Sequence, residues 1–242
     1  MNLVIDVGNT FVKLAVFNEE EIVFNKSIEV GNIRESIILL KKKYKQIDNA
    51  IISSVGELDS EDVDYIHSHF RLLVLSAKTK LPFLNTYKTP NTLGVDRIAL
   101  VSASVNQFPK SNTLIIDAGT CITYDFVTKE NEYLGGAISP GIRMRYKSLN
   151  NLTAKLPLLK TEAPNSIIGR STNESIHSGV VNGVLNEIDG VITDYKLKFS
   201  DLTVILTGGD SKFLSKQLKS SIFANSNFLL KGLNDILQFN II

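Results

Sequence analysis

Leu3-Val4-Ile5-Asp6-Val7-Gly8-Asn9-Thr10 has an echo farther along the chain, at Leu114-Ile115-Ile116-Asp117-Ala118-Gly119-Thr120. Each copy is an apolar, β-branched run that ends on an aspartate and breaks at a glycine and short polar side chains. That is the pattern of a buried strand entering a tight turn. The likeness continues past the motif. The first copy is followed by Phe11 to Phe17, an acidic turn at Asn18-Glu19-Glu20-Glu21, and Ile22 to Ile28. The second is followed by Cys121 to Val127, a polar turn at Thr128 to Glu132, and Tyr133 to Ile138. Both copies read strand, turn, strand, turn, strand, and both lead into a helically periodic segment, Ile33 to Tyr44 and Ile142 to Leu152. Such a repeat indicates two similar domains facing one another.

The remaining pattern completes the two halves. Strands are expected at Ala50 to Val55, Leu72 to Leu75 and Leu202 to Thr207. Helices are expected at Ser60 to Phe70, Gly94 to Val105, about Asn173 to Lys198, and from Asp210. Ser60 offers a cap with acids behind it, and Thr172 or Asn173 offers one for the long helix. Strand triplets followed by alternating helix and strand mean an α/β protein with mixed sheets. Pro109-Lys110-Ser111-Asn112 parts a helix from a strand, so the domains are expected to be 1–110 and 111–242.

Composition excludes several classes. The 242 residues carry 26 basic and 25 acidic side chains, a net charge of +1, which lacks the clustered positive excess that binding a nucleic-acid backbone requires. The one basic run, Lys41-Lys42-Lys43-Tyr44-Lys45, closes a helical pattern, where cations complement the helix dipole. No apolar stretch approaches the ~20 residues that span a bilayer, and the first residues lack the pattern of a secretory signal. Cys121 is the single cysteine, so no internal disulfide can form. A cytoplasmic protein without nucleic-acid or membrane partners is expected. The histidines, His67, His69 and His177, show no metal-binding spacing and are read as surface or packing residues.

Chemistry concentrates in the turns. Gly8 lets backbone approach a ligand closely, and the N–H groups of such a turn form a concavity for anions. Asp6 can hold a magnesium ion that bridges phosphate oxygens, and Lys13 on the following strand can meet a phosphate as a point charge. Alone, this turn could be an ordinary hairpin with a solvated lysine. A second strand-end aspartate, Asp117, with Thr120 behind it, changes the reading to two phosphate loops, as phosphoryl transfer demands positioning and charge neutralisation. Thr207-Gly208-Gly209-Asp210 follows an apolar strand and leaves room for a flat base against the backbone, while Asp210 also suits a helix cap. Gly94-Val95-Asp96-Arg97 opens a helix, where an acid is favoured whatever its function. Asp96 could also accept a substrate proton, and Arg97 could clamp an anionic group. Turn chemistry accounts for most of Gly135-Gly136-Ala137-Ile138-Ser139-Pro140-Gly141.

In this order the three turns resemble the phosphate-1, phosphate-2 and adenosine motifs of the actin, hexokinase and Hsp70 superfamily. Together with Gly94 to Arg97, Gly135 to Gly141 with Leu149, Thr153-Ala154-Lys155-Leu156-Pro157 and Gly169 to Thr172, they resemble the type III pantothenate kinases over nearly the whole chain. The resemblance implies two actin-like, ribonuclease H-like domains, each with a mixed five-stranded sheet flanked by helices and a cleft between them. It implies transfer of the ATP γ-phosphate to pantothenate, the first step toward coenzyme A. By position, Asp96 would be the proton acceptor. Asp6, Val7, Gly8, Asn9, Thr10, Phe11, Val12, Lys13 and Thr120 would bind ATP. Tyr87, Gly94, Val95, Asp96 and Arg97 would bind pantothenate, with Thr172 reaching from across a homodimer. Asp117 would hold a monovalent cation, K+ or NH4+, beside the Mg2+ at Asp6. Cys121 stands where the family more often has alanine. Two alternatives remain: a small-molecule kinase of the same superfamily with another substrate, such as a sugar, and a non-catalytic ATP-binding regulator.

Overall fold

β1 (Asn2–Val7) is buried along nearly its whole length, as its uninterrupted apolar run requires. The computed structural model describes residues 1–8, 11–54 and 58–241, so Asn9, Thr10 and the expected strand end Val55 lie outside the described residues. β1 pairs antiparallel with β2 (Phe11–Asn18) and parallel with β4 (Asn49–Ser54). β3 (Glu21–Glu29) and β5 (Arg71–Val74) take the edges, giving the order β3-β2-β1-β4-β5. Side chains alternate across a strand. Leu3, Ile5 and Val7 therefore join Val12, Leu14 and Val16 in a core closed by Ile33, Ile37 and Leu40 of α1 (Ile33–Lys43) and Ile66 of α2 (Ser60–His69). Val4 and Asp6 point to the opposite face. The cap of α2 is Asp59, whose carboxylate accepts from the Glu61 N–H, one residue before the expected Ser60. The basic run ends α1 as expected, with Lys41 donating onward to the Ile47 carbonyl at 2.5 Å. A two-residue strand, β6 (Leu84–Asn85), and α3 (Val95–Gln107) follow.

The second sheet repeats this plan. β7 (Asn112–Ala118) pairs antiparallel with β8 (Cys121–Val127) and parallel with β10 (Leu202–Thr207), and β9 (Glu132–Pro140) and β11 (Phe223–Ala224) lie outside them. The order β9-β8-β7-β10-β11 matches β3-β2-β1-β4-β5 strand for strand. β6 adds a sixth member beside Glu132 and Tyr133. Leu114, Ile116 and Ala118 face a core closed by Ile142 and Tyr146 of α4 (Ile142–Asn151), Ile176 of α5 (Thr172–His177) and Val184, Ile188 and Ile192 of α6 (Gly183–Lys198). The long helix expected from Asn173 is continuous in path but widens to a π-turn at Ser178–Asn182, where the Ser178 hydroxyl donates to the Ile167 carbonyl at 2.6 Å. Its cap is Ser171, which accepts from Glu174 N, in place of Thr172 or Asn173. α7 (Ser211–Leu214) follows β10.

The chain then returns. α8 (Phe228–Ile241) packs on α3, β1 and β4, so Asn227–Ile242 belongs to the first compact unit with Met1–Pro109 and Asn131–Tyr133. The second unit is Lys110–Glu130 with Leu134–Ser226. A single division at residue 110 therefore fails at the C-terminal end. The physical reason is the uncovered face of β1: α8 carries buried Phe228, Leu230, Leu233, Ile236 and Leu237, an apolar stripe that needs a sheet or helix to lie on. Gly232 lets the two helices meet, since a Cβ there would run into the Ala99 carbonyl of α3. Asn2 donates to the Asn234 side chain at 2.9 Å, and Asn234 donates to the Glu19 carbonyl at 2.9 Å. Among the described residues, no helix is long and apolar enough to cross a membrane.

One carboxyl under α8 gives a test of this packing. Burial pushes Asp235 from its ordinary 3.8 up to about 6; Glu20 adds to the rise, while the Asn106 amide and Lys231 oppose it. The folded protein thus holds this proton more tightly than the unfolded chain. Its contribution to stability is complete below the unfolded value and is lost as pH rises through the folded one. Asp235→Asn keeps the oxygen that accepts from Asn106 Nδ2 at 2.9 Å and removes the titration. Urea midpoints of variant and wild type are expected to diverge, in favour of the variant, between about pH 4 and pH 7. Midpoints that move in parallel would show that this group does not titrate with folding.

Candidate active site

In the first unit the site grows from the end of β1. Asp6 lies opposite Lys13 in the antiparallel pair and opposite Ser53 in the parallel pair. The Gly8 N–H donates to the Phe11 carbonyl at 3.0 Å and closes the turn. Asp6 points to the face that carries α3, whose first turn supplies Asp96. The three charges feel one another: burial raises Asp6 to about 6, Lys13 opposes the rise, and the nearby Asp96 carboxylate adds to it. Two acids and one lysine thus gather at the mouth of a strand turn, a net negative site that a cation would relieve. Ser53, fully buried, has a hydroxyl with no hydrogen-bond partner, a donor left over beside Asp6.

Around Asp96 the backbone is shaped for the carboxylate. Gly94 caps α3, and a Cβ on it would collide with Asp96 Oδ1. That oxygen accepts from the Arg97 N–H at 2.8 Å, which holds the carboxylate over the helix start. Arg97 is only 5% exposed, an unusual place for a guanidinium, and lies 5.5 Å from the centre of the Tyr87 ring.

In the second unit three separated motifs meet. Asp117 is the penultimate residue of β7 and lies opposite Thr207 of β10. Gly208, at φ +92°, passes so close that a Cβ would strike Asp117 Oδ1 and the Ala118 carbonyl. The Asp210 N–H donates to that carbonyl at 2.9 Å. From the other side the Gly141 N–H donates to the Thr120 carbonyl at 3.0 Å, and a Cβ on Gly141 would strike both Gly119 and Thr120. The Thr120 side chain is left exposed for a ligand. The start of α4, which carries Gly141, is anchored by Arg145: it donates to the Pro140 carbonyl at 2.9 Å, to Ser139 Oγ at 3.0 Å and to Glu187 Oε2 at 2.5 Å. Tyr124 donates to the other oxygen of Glu187 at 2.8 Å. Burial works to raise the Glu187 carboxyl, but the bonds from Arg145, Ser139 and Tyr124 outweigh it and hold it below its ordinary value. Burial raises Asp210 as well, against the pull of Arg143.

The structure thus brings Asp6, Lys13 and Asp96 together in one unit, and Asp117, Thr120 and the Thr207–Asp210 turn together in the other. Val7 and Val12 turn their side chains into the core, so they can serve a ligand only through backbone. Phe11 is exposed, and Val95 and Tyr87 are half-buried. Thr172 is exposed on an open groove of about 970 Å³ that Arg145, Leu149, Leu156 and Arg170 also line. Gly141 and Ser53 were not read as site residues from the sequence. Gly141 lay inside a glycine-rich turn whose closeness to Thr120 is invisible without coordinates. Ser53 had a signal that could have been used, as the strand β4 holds in the first half the place that β10 and its Thr207-Gly208 hold in the second.

A sequence model of the family described as type III pantothenate kinase matches residues 2–194. Proteins named type III pantothenate kinase from Christiangramia forsetii and Flavobacterium johnsoniae are 53% and 46% identical to this chain, over 99% and 100% of it and 99% of each relative. Among solved structures, a Campylobacter jejuni protein described as a Baf family transcriptional activator overlays with a TM-score of 0.66 at 20% identity, covering 99% of this chain and 98% of that one. A glucokinase from an Antarctic psychrotroph overlays with a TM-score of 0.52 at 14% identity, covering 98% of both chains. At those identities the overlays speak for the fold alone, the α/β fold of actin-like kinases. The match to the family model and the full-length relatives go further, and with the paired strand-end aspartates they establish that this chain belongs to the type III pantothenate kinase family.

Proposed function

We propose that this chain transfers the γ-phosphoryl group of ATP to the primary hydroxyl of pantothenate, giving 4'-phosphopantothenate, the first step toward coenzyme A. The observation that carries the reading is the gathering of Asp6, Lys13 and Asp96 at one strand turn, with a buried arginine as the next residue. In this scheme Asp96 accepts the hydroxyl proton as the oxygen attacks phosphorus. Arg97 clamps the substrate carboxylate, with Tyr87, Gly94 and Val95 around it. The Asp6–Lys13 segment and Thr120 hold the nucleotide; Asn9 and Thr10, outside the described residues, are assigned here by position alone.

The acids fit cations. Asp6 is raised by burial and by a neighbouring carboxylate, and a divalent ion there would hold it ionised, so Asp6 is the residue proposed to hold Mg2+. When bound, the ion neutralises charge on the phosphate oxygens. Asp117 Oδ1 and the Ala118 carbonyl meet over Gly208, and oxygen donors of this kind suit K+ or, by hydrogen bonding, NH4+, so Asp117 is the residue proposed to hold the monovalent cation. A buried guanidinium favours an acidic substrate over a neutral sugar. Turnover of pantothenate but not of glucose, in a coupled assay with ATP, magnesium and potassium, tests the assignment. Turnover of the sugar alone would overturn it. A cytoplasmic location goes with this reading.

A homodimer is part of the proposal, with Thr172 completing the pantothenate site of the partner subunit. Exposed apolar side chains in the segments next in sequence to the groove's lining residues, Leu152, Leu158, Ile167 and Ile168, support a covered surface. Asp96→Asn and Thr172→Ala proteins, each nearly inactive alone, should complement when unfolded together and refolded. Mixed dimers then hold one intact site, restoring up to about a quarter of wild-type activity. No recovery in a dimeric mixture would place Thr172 in its own subunit's site or outside any site.

A further inference from the structure

We infer that Tyr133 is a positioning residue for substrate, holding Arg97 and Tyr87 in the arrangement that receives the carboxylate; this rests on the reading of Arg97 as the clamp. Tyr133 sits in the chain between β8 and the glycines of β9, yet residues 131–133 belong to the first compact unit. Its ring is fully buried. It stacks on Tyr87 at 6.1 Å between centres with 20° between planes, and meets Phe83 edge-on at 6.2 Å. The Arg97 guanidinium lies 6.0 Å from the Tyr133 ring centre and 5.5 Å from that of Tyr87. A cation withdrawn from water to this degree loses hydration, and two aromatic faces, the fully buried ring of Tyr133 and the half-buried ring of Tyr87, replace part of it. Aromatic faces also fix the plane of a guanidinium, and with it the direction of its N–H groups.

The backbone at Tyr133 acts in the same direction. Its carbonyl accepts from Thr86 N at 3.1 Å and from Thr86 Oγ1 at 2.7 Å, and the Asn131 carbonyl accepts from Leu84 N at 2.9 Å. These bonds make β6, and Asn85 Oδ1 then accepts from the Tyr87 N–H at 3.0 Å. The segment that carries Tyr87 is thereby registered against Tyr133, and the ring of Tyr133 is registered against Arg97. Arg97 is joined through its own N–H to the Asp96 carboxylate, so an error in the placing of Arg97 reaches the substrate end of the site first.

The test varies pantothenate and ATP separately in steady-state kinetics of the full-length protein. Tyr133→Leu keeps apolar volume and removes the ring face; it should raise the pantothenate KM about tenfold while kcat and the ATP KM stay within about twofold. Tyr133→Phe, which keeps the face, should return the pantothenate KM to within about twofold of wild type. Should Tyr133→Leu not fold, Thr86→Val decides: it loses only the hydroxyl that bonds to the Tyr133 carbonyl, and should raise the pantothenate KM about threefold at unchanged kcat. An unchanged pantothenate KM in whichever of these proteins is measured overturns the inference, as does a Tyr133→Phe protein as impaired as Tyr133→Leu. Arg97→Gln separates the two levels. If it leaves the pantothenate KM unchanged, the clamp reading falls and takes the inference with it; if it raises that KM while Tyr133→Leu does not, only the role of Tyr133 is lost.

Discussion

Asp96→Asn is expected to lower kcat by about 10²- to 10⁴-fold, the range that a positioned general base supplies, with the ATP KM little changed. The substitution is chosen to separate chemistry from structure. The amide keeps an oxygen that can accept from the Arg97 N–H, so the first turn of α3 retains its bond and the guanidinium its place. What is lost is the ability to take a proton from the attacking hydroxyl. The variant has a second expected effect, in a known direction. The Asp96 charge is one of the causes that raise Asp6, so removing it should lower the Asp6 carboxyl and broaden the acid side of the remaining activity. Turnover within tenfold of wild type would mean that Asp96 is not the proton acceptor.

Gly141→Val is expected to lower kcat/KM for ATP by about 10- to 100-fold, from the roughly 1–3 kcal/mol that overpacking costs when it is concentrated on a ligand-bearing turn. A side chain at this position must displace the Gly119 and Thr120 carbonyls, because a Cβ has no room there. The turn that presents Thr120 then moves, while the anchor of α4 through Arg145, Glu187 and Tyr124 stays in place. The damage should therefore show in ATP kinetics more than in the far-ultraviolet spectrum or the melting temperature. Unchanged ATP kinetics in a folded Gly141→Val protein would remove this turn from the nucleotide site. The pantothenate KM, measured in parallel, should change little.

The repeat made most of the architecture readable, because strands that alternate or run apolar between Gly, Asn and acidic turns announce themselves within a few residues. β1 and β7 with their aspartates lie where the sequence placed them, and so do α1 with its lysine-rich end and the strand Leu202–Thr207. Other features depend on contacts between distant segments. β6 and β11 have two residues each and exist only because neighbouring strands offer hydrogen bonds. α8 was not among the expected helices, and no local pattern says that its apolar stripe covers β1 rather than the nearer second sheet. The same limit applied to the site. Asp6, Asp96, Asp117 and Thr120 carry motif signals, whereas Gly141, Ser53 and Tyr133 matter through what lies opposite them in space. The π-turn at Ser178–Asn182 was legible only as helix, since its wider hydrogen bonding leaves no compositional mark.

Because Phe228–Ile241 seals the face of β1, a strand made before the second unit is fully covered only after that unit has been made. During translation β1 must wait, half-wrapped, while Lys110–Glu130 and Leu134–Ser226 are made and are free to fold ahead of it. A chain halted before residue 228 would leave that sheet face open, so α8 ties completion of the first unit to synthesis of the second.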